Sequence, residues 1–211
     1  PSSVTEIGEQ AFNLCMDLRS IKIPQGITEI RSATFYKCLS LTSIDIPSSV
    51  TKIGRSAFYG CSSLTSIDIP SGVTEIGEDA FCGCSSLAIS LEIPQGITEI
   101  GEYTFNGCSS LTSIEIPSGV KTIGKSAFGG CSSLASIEIP SSVKTIGEDA
   151  FYGCGNLKSM YLRATTPPTL NSPVFSSCPA VFYVPMEAVE AYKNAEGWSK
   201  YASDRIVGYN F

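Results

Sequence analysis

The sequence predicts an α/β repeat fold: a right-handed solenoid with a parallel sheet on one face, short helical turns on the other and a C-terminal cap. Three observations predict it. Proline recurs at positions 1, 24, 47, 70, 94, 117 and 140, a period of 23 residues with one step of 24. Other columns keep the same period: Phe58, Cys61 and Leu64 of the third unit are matched by Phe81, Cys84 and Leu87 of the fourth. Within a unit, Ile67 and Ile69 alternate with polar residues, which is the period of a half-buried strand. A unit this short cannot bury its apolar face alone, so neighbours must stack and share one core.

The unit Pro47 to Ile69 and the turn after it set the expected elements. Its apolar columns are Val50, Ile53, Ala57, Phe58, Cys61, Leu64, Ile67 and Ile69. The spacing Leu64-x-x-Ile67-x-Ile69 is a leucine-rich strand spacing, with the isoleucines inward. Pro70 and Ser71-Gly72 end the strand with turn chemistry. Ile76-Gly77-x-x-Ala80-Phe81 reads as a single helical turn, and Gly83 supplies the left-handed residue that stops it. Departures are few: Arg31 replaces the column glycine, Thr34 and Thr104 replace alanine, and one residue is inserted between Leu87 and Leu91. Residues 1–162 thus form seven repeats whose strands align into a parallel sheet. Pro1 already lies inside a repeat with no signal peptide before it, which reads as a mature or trimmed piece of a longer protein.

Residues 163–211 break the period and are expected to form a degenerate repeat plus a strand/helix cap. Val174-Phe175-Ser176-Ser177-Cys178 echoes a repeat turn, and Val181-Phe182-Tyr183-Val184 reads as a strand. Pro185 suits the first position of a helix running from Met186 to Asn194. Trp198, Tyr201 and Ile206 would cover the open last rung, because a solenoid end exposes a cross-section of core. An aromatic ligand site around Trp198 is the alternative.

Composition narrows the chemistry. There are 20 Asp and Glu against 14 Lys and Arg, a formal net charge of −6, which argues against nucleic acid as a partner. No apolar run approaches the ~20 residues of a membrane helix. Histidine is absent, which removes the commonest general base and every Ser-His or Cys-His arrangement. We expect no enzyme, no catalytic residue, no cofactor and no metal site.

Seven of the nine cysteines form the repeat column. Rungs ~4.8 Å apart would hold neighbouring Cβ atoms farther apart than the ~3.8 Å that disulfides prefer, so a ladder of buried free thiols is expected. Cys82 lies outside the column and should be exposed; with Cys84 it would form too small a set to hold a metal.

The outward strand positions form two columns. One is serine: Ser20, Ser43, Ser66, Ser90, Ser113, Ser136 and Ser159. The other is Lys22, Asp45, Asp68, Glu92, Glu115, Glu138 and Tyr161. No Lys or Arg lies between Arg55 and Lys121. Asp45, Asp68, Glu92, Glu115, Glu138 and Tyr161 are therefore the candidate partner-binding face, suited to a basic patch on another protein. A plain solvated surface is the competing account of the same column.

The pattern Ile-Pro-x-x-Val/Ile-x-x-Ile-Gly-x-x-Ala-Phe-x-Gly-Cys-x-x-Leu-x-x-Ile resembles the BspA-like, or Treponema pallidum-type, leucine-rich-repeat family over residues 1–162. The stretch Ala164 to Pro168, with Phe182-Tyr183-Val184-Pro185, Tyr192 and Gly197-Trp198, resembles the closing segment of such proteins from gut bacteria. The resemblance implies a curved right-handed leucine-rich-repeat solenoid at the bacterial cell surface or secreted, with a role in adhesion or host-protein binding and no catalytic residue. The expected function is an adhesin-like protein-binding module; a structural spacer or stalk without a specific ligand is the alternative.

Overall fold

A computed structural model describes residues 3–88, 91–171 and 173–211. Pro1, Ser90 of the serine column and residue 89 beside the insertion lie outside the described residues. The chain coils into a parallel solenoid of about eight turns around one continuous core.

Two parallel ladders run along it. The first carries the leucine-rich strands. It begins as single bridges, Lys22 to Asp45 and Asp45 to Asp68. It continues as Leu91–Glu92 beside Ile114–Glu115. It widens into four strands in the order Ile206–Tyr209, Val181–Pro185, Ser159–Leu162 and Ser136–Ile139. Alternation sets which residues enter the core: Ile137 and Ile139 are buried while Ser136 and Glu138 are exposed.

The second ladder was not anticipated from the sequence. Glu29–Ile30, Lys52–Ile53 and Glu75–Ile76 form one parallel sheet. Glu99–Ile100, Thr122–Ile123, Thr145–Ile146 and Thr169–Leu170 form another. These rungs thus contribute a second short strand whose isoleucine points inward, and the ladder ends at Thr169–Leu170 with a half-buried leucine.

The expected helical turns are replaced by a different device. Between Gly54 and Cys61 the backbone N–H groups alternate in direction. Ser56, Phe58 and Gly60 donate to Glu78, Ala80 and Cys82 of the next rung, at 2.8, 2.8 and 2.7 Å. Ala57, Tyr59 and Cys61 donate back within their own rung to Gly54, Ser56 and Phe58. A helix would direct all these groups along its own axis and leave none for the neighbouring rung. The alternation requires left-handed backbone at Ser56 (φ 53°) and Gly60 (φ 69°), repeated at Asp79 (57°) and Gly83 (74°). The glycine at 83 therefore has the conformation read from the sequence, although it ends no helix. Among the described residues the helical segments are Met186–Ala188, Val189–Asn194 and Ser199–Tyr201, all after the repeats.

Phenylalanine forms the spine of the core. From Phe12 through Phe35, Phe58, Phe81, Phe105, Phe128 and Phe151 to Phe175, successive rings stack with centroids 5.4–5.8 Å apart. All nine cysteines are free; seven are buried, and Cys15 and Cys82 are half-buried rather than exposed. At the far end Phe175 and Phe182 meet the buried ring of Trp198 at 5.7 and 5.2 Å. The Trp198 indole N–H donates to the Pro168 carbonyl at 2.8 Å, so the ring is enclosed and its one donor is taken. Arg205 fastens this end: its Nε donates to Ala180 O at 2.7 Å, and its guanidinium faces both the Phe182 and Tyr201 rings at 4.7 and 4.8 Å.

Candidate functional site

The first ladder presents its outward column to solvent. Asp45, Asp68, Glu92, Glu115 and Glu138 are all exposed, and Tyr161 is half-buried. The parallel register aligns them in three runs. Lys22, Asp45 and Asp68 pair in succession; Glu92 pairs with Glu115; Glu138 pairs with Tyr161, which pairs with Tyr183, which pairs with Val207. Shallow clefts connect the acids: Glu92 and Glu115 line one of about 290 Å³, and Glu115 and Glu138 line another of about 530 Å³.

The charges of this row are unequally compensated. Asp45, Asp68, Glu92 and Glu115 make no ion pair among the described residues. Glu138 does: Arg163 Nε and Nη2 donate to its two carboxylate oxygens at 2.8 and 2.9 Å, a bidentate fork. That pairing was not legible from the repeat, since Arg163 belongs to the segment where periodicity ends. Elsewhere cations meet acids one rung further on: Lys52 with Glu75 on the second ladder at 3.0 Å, and Lys125 with Glu148 in the turns after it at 2.7 Å.

Beyond Glu138 the face becomes aromatic. Tyr161 and Tyr183 stack at 4.9 Å, and Tyr209 sets its ring edgewise to both, at 5.4 and 5.7 Å. Phe211 lies 5.1 Å from Tyr209, and its ring faces the Arg163 guanidinium at 4.3 Å. Only Tyr161 of this group was a candidate from the sequence. The signal for Tyr183 was the alternation Phe182-Tyr183-Val184, which puts it on the outward face once its strand joins the ladder.

Among the described residues, no group of three or more Cys, Asp or Glu side chains is placed to hold a metal ion. No described helix is long and apolar enough to cross a membrane.

A parallel coil of leucine-rich rungs with an exposed sheet face defines a repeat solenoid. The chain belongs to the BspA-type leucine-rich-repeat family: the model of that repeat region matches residues 1–97 and 88–192, with six copies. A leucine-rich repeat protein from Bacteroides ovatus is 28% identical over 99% of this chain, with a TM-score of 0.69. The chain spans 59% of that protein's length. The T. pallidum leucine-rich repeat protein is 25% identical over 90% of this chain and 85% of its own, with a TM-score of 0.50. The pneumococcal vaccine antigen PcpA, 19% identical, shares the fold over 92% of this chain and 45% of its own, at a TM-score of 0.59. No curated protein matches the chain.

Proposed function

We propose that this chain is a surface-displayed or secreted, adhesin-like module that holds a partner protein on its sheet face. The partner carries a basic patch, and the contact residues are Asp45, Asp68, Glu92, Glu115, Glu138 and Tyr161. One observation carries the reading: four exposed acids of this row have no ion-pair partner among the described residues, whereas Lys52 compensates Glu75 on the other ladder and Lys125 compensates Glu148 in the turns that follow it. Carboxylates held rung by rung on a parallel backbone create a fixed negative field that favours a cationic surface. The bacterial surface setting rests on family membership. The reading includes a right-handed coil, since parallel crossovers take that hand, with seven repeats in 1–162 and a degenerate repeat plus cap in 163–211. It assigns no catalytic residue, no cofactor and no nucleic-acid contact.

The test is retention of host matrix proteins on the immobilised chain at low and high salt, with wild type beside a Glu92→Lys, Glu115→Lys variant. Salt-sensitive retention that the charge reversal abolishes supports the reading. Retention independent of both salt and the reversal overturns it.

A further inference from the structure

The acidic column changes character at one point. In register after Glu138 come Tyr161, Tyr183 and Val207. Val207, Tyr209 and Phe211 are 41%, 42% and 45% exposed, and they gather on one end of the sheet face. Their neighbours Ile206 and Phe182 fill the core, so the outward rings are not what holds the strand in place.

Three features make this end more than a scatter of apolar residues. The rings are locked against one another: Tyr161 is stacked on Tyr183, and both meet the edge-on Tyr209. Locked aromatic side chains lose little entropy on contact, and Tyr and Arg dominate binding hot spots. Through Glu138, which pairs with Tyr161, the patch also adjoins the cleft that Glu138 and Glu115 line; Arg163 neutralises Glu138, so the unpaired charge next to the rings is that of Glu115. Finally, the site already holds a guanidinium. Arg163 lies 4.3 Å from the Phe211 ring while its fork grips Glu138 at 2.8 and 2.9 Å. The chain's own arginine thus displays the ring-plus-carboxylate chemistry that holds such a cation.

We propose that Tyr161, Tyr183, Val207, Tyr209 and Phe211, around Arg163, anchor an arginine-rich segment of the partner protein. The partner's guanidinium groups lie on the exposed rings, and the acids from Asp68 to Glu115 draw the segment along the face. This inference rests on the protein-binding reading above and adds where on the face the affinity is concentrated. It gives the segment 163–211 a recognition role beside its packing role.

The probe is hexaarginine, titrated into the full chain and followed by calorimetry and by the tyrosine ring signals in NMR spectra. In wild type the Tyr161, Tyr183 and Tyr209 signals should shift on binding. Tyr209→Ser with Phe211→Ser should weaken binding at least tenfold with little change in its salt dependence, because both side chains are exposed and uncharged. Glu92→Gln with Glu115→Gln should flatten the salt dependence. Loss on the acid pair without loss on the aromatic pair would overturn this inference and leave the acidic-face reading standing. Binding unaffected by either pair would overturn both. Saturation of wild type without any tyrosine shift would overturn the inference irrespective of how the variants fold.

Discussion

The sulfur of Cys84 donates a 3.2 Å hydrogen bond to the carbonyl oxygen of Phe58, which also accepts the backbone N–H of Cys61 at 3.1 Å. The relationship repeats from Cys38 to Phe12 at one end through Cys154 to Phe128 at the other, at 3.1 Å in both cases. From Cys38 to Cys154 each column thiol therefore fills a small apolar space and gives the previous rung's carbonyl a second donor. Alanine could only fill part of the space.

Cys84→Ala should lower stability by about 1–3 kcal/mol, through the lost donor and the small void. Cys84→Ser, which keeps a donor on a shorter bond, should fall between. Urea denaturation of the three proteins checks the order; an alanine variant as stable as wild type would reduce the column to a matter of size.

Burial also sets the thiols' protonation. It pushes Cys61 up to about 12 from an ordinary value of 9.0, with the neighbouring Cys38 thiol adding to the rise. Burial likewise raises Cys84, Cys108 and Cys131. The unfolded chain loses these protons first, so the stability they contribute is fully present below about pH 9 and is lost as pH climbs toward the folded values. Thermal melts should be nearly flat in this respect up to about pH 7.5, begin to fall near pH 8.5 and fall increasingly steeply above pH 9. At neutral pH a thiol reagent should modify Cys15 and Cys82 first, and all nine only after denaturation.

The glycine column marks where rungs come closest. A Cβ on Gly77 would stand 2.5 Å from Arg55 N and 2.8 Å from Gly54 C, both backbone atoms that cannot turn aside. Gly77→Ala should cost about 1–3 kcal/mol as overpacking. Gly155, which stands where Ser62 stands in the third unit, meets nothing within 4 Å, and Gly155→Ala should gain about 0.4–1 kcal/mol through the unfolded state. Equal effects at the two positions would contradict the packing argument.

Glu92 and Glu115 are cross-strand partners with no cation beside them among the described residues. Glu92→Gln should raise stability by about 0.3 kcal/mol at low ionic strength, and by less at ~0.15 M salt, where screening shortens the reach of each charge. Destabilisation by this change would mean that the carboxylate already holds a cation.

The repeat was legible because identical residues at a fixed period must occupy equivalent places. Val50, Ile53, Ala57, Phe58, Cys61, Leu64 and Ile67, named from one unit, are all buried; Ile69 is only partly so. The turn between Ile76 and Phe81 was misread as helical because Ile76, Ala80 and Phe81 share the spacing of a helical face. What excludes the helix is the demand of the next rung for every second N–H, and a single unit carries no trace of that demand.

The sequence by itself determined the rung length, the inward columns, the free-thiol ladder and the row of outward acids, because each depends only on period and alternation. The tertiary structure alone decided that Arg163 neutralises Glu138 and that Tyr183, Val207, Tyr209 and Phe211 gather beside Tyr161. Those placements depend on where two non-periodic strands join the ladder. The strands reach it through irregular connections, where no repeat register fixes which side chains become neighbours.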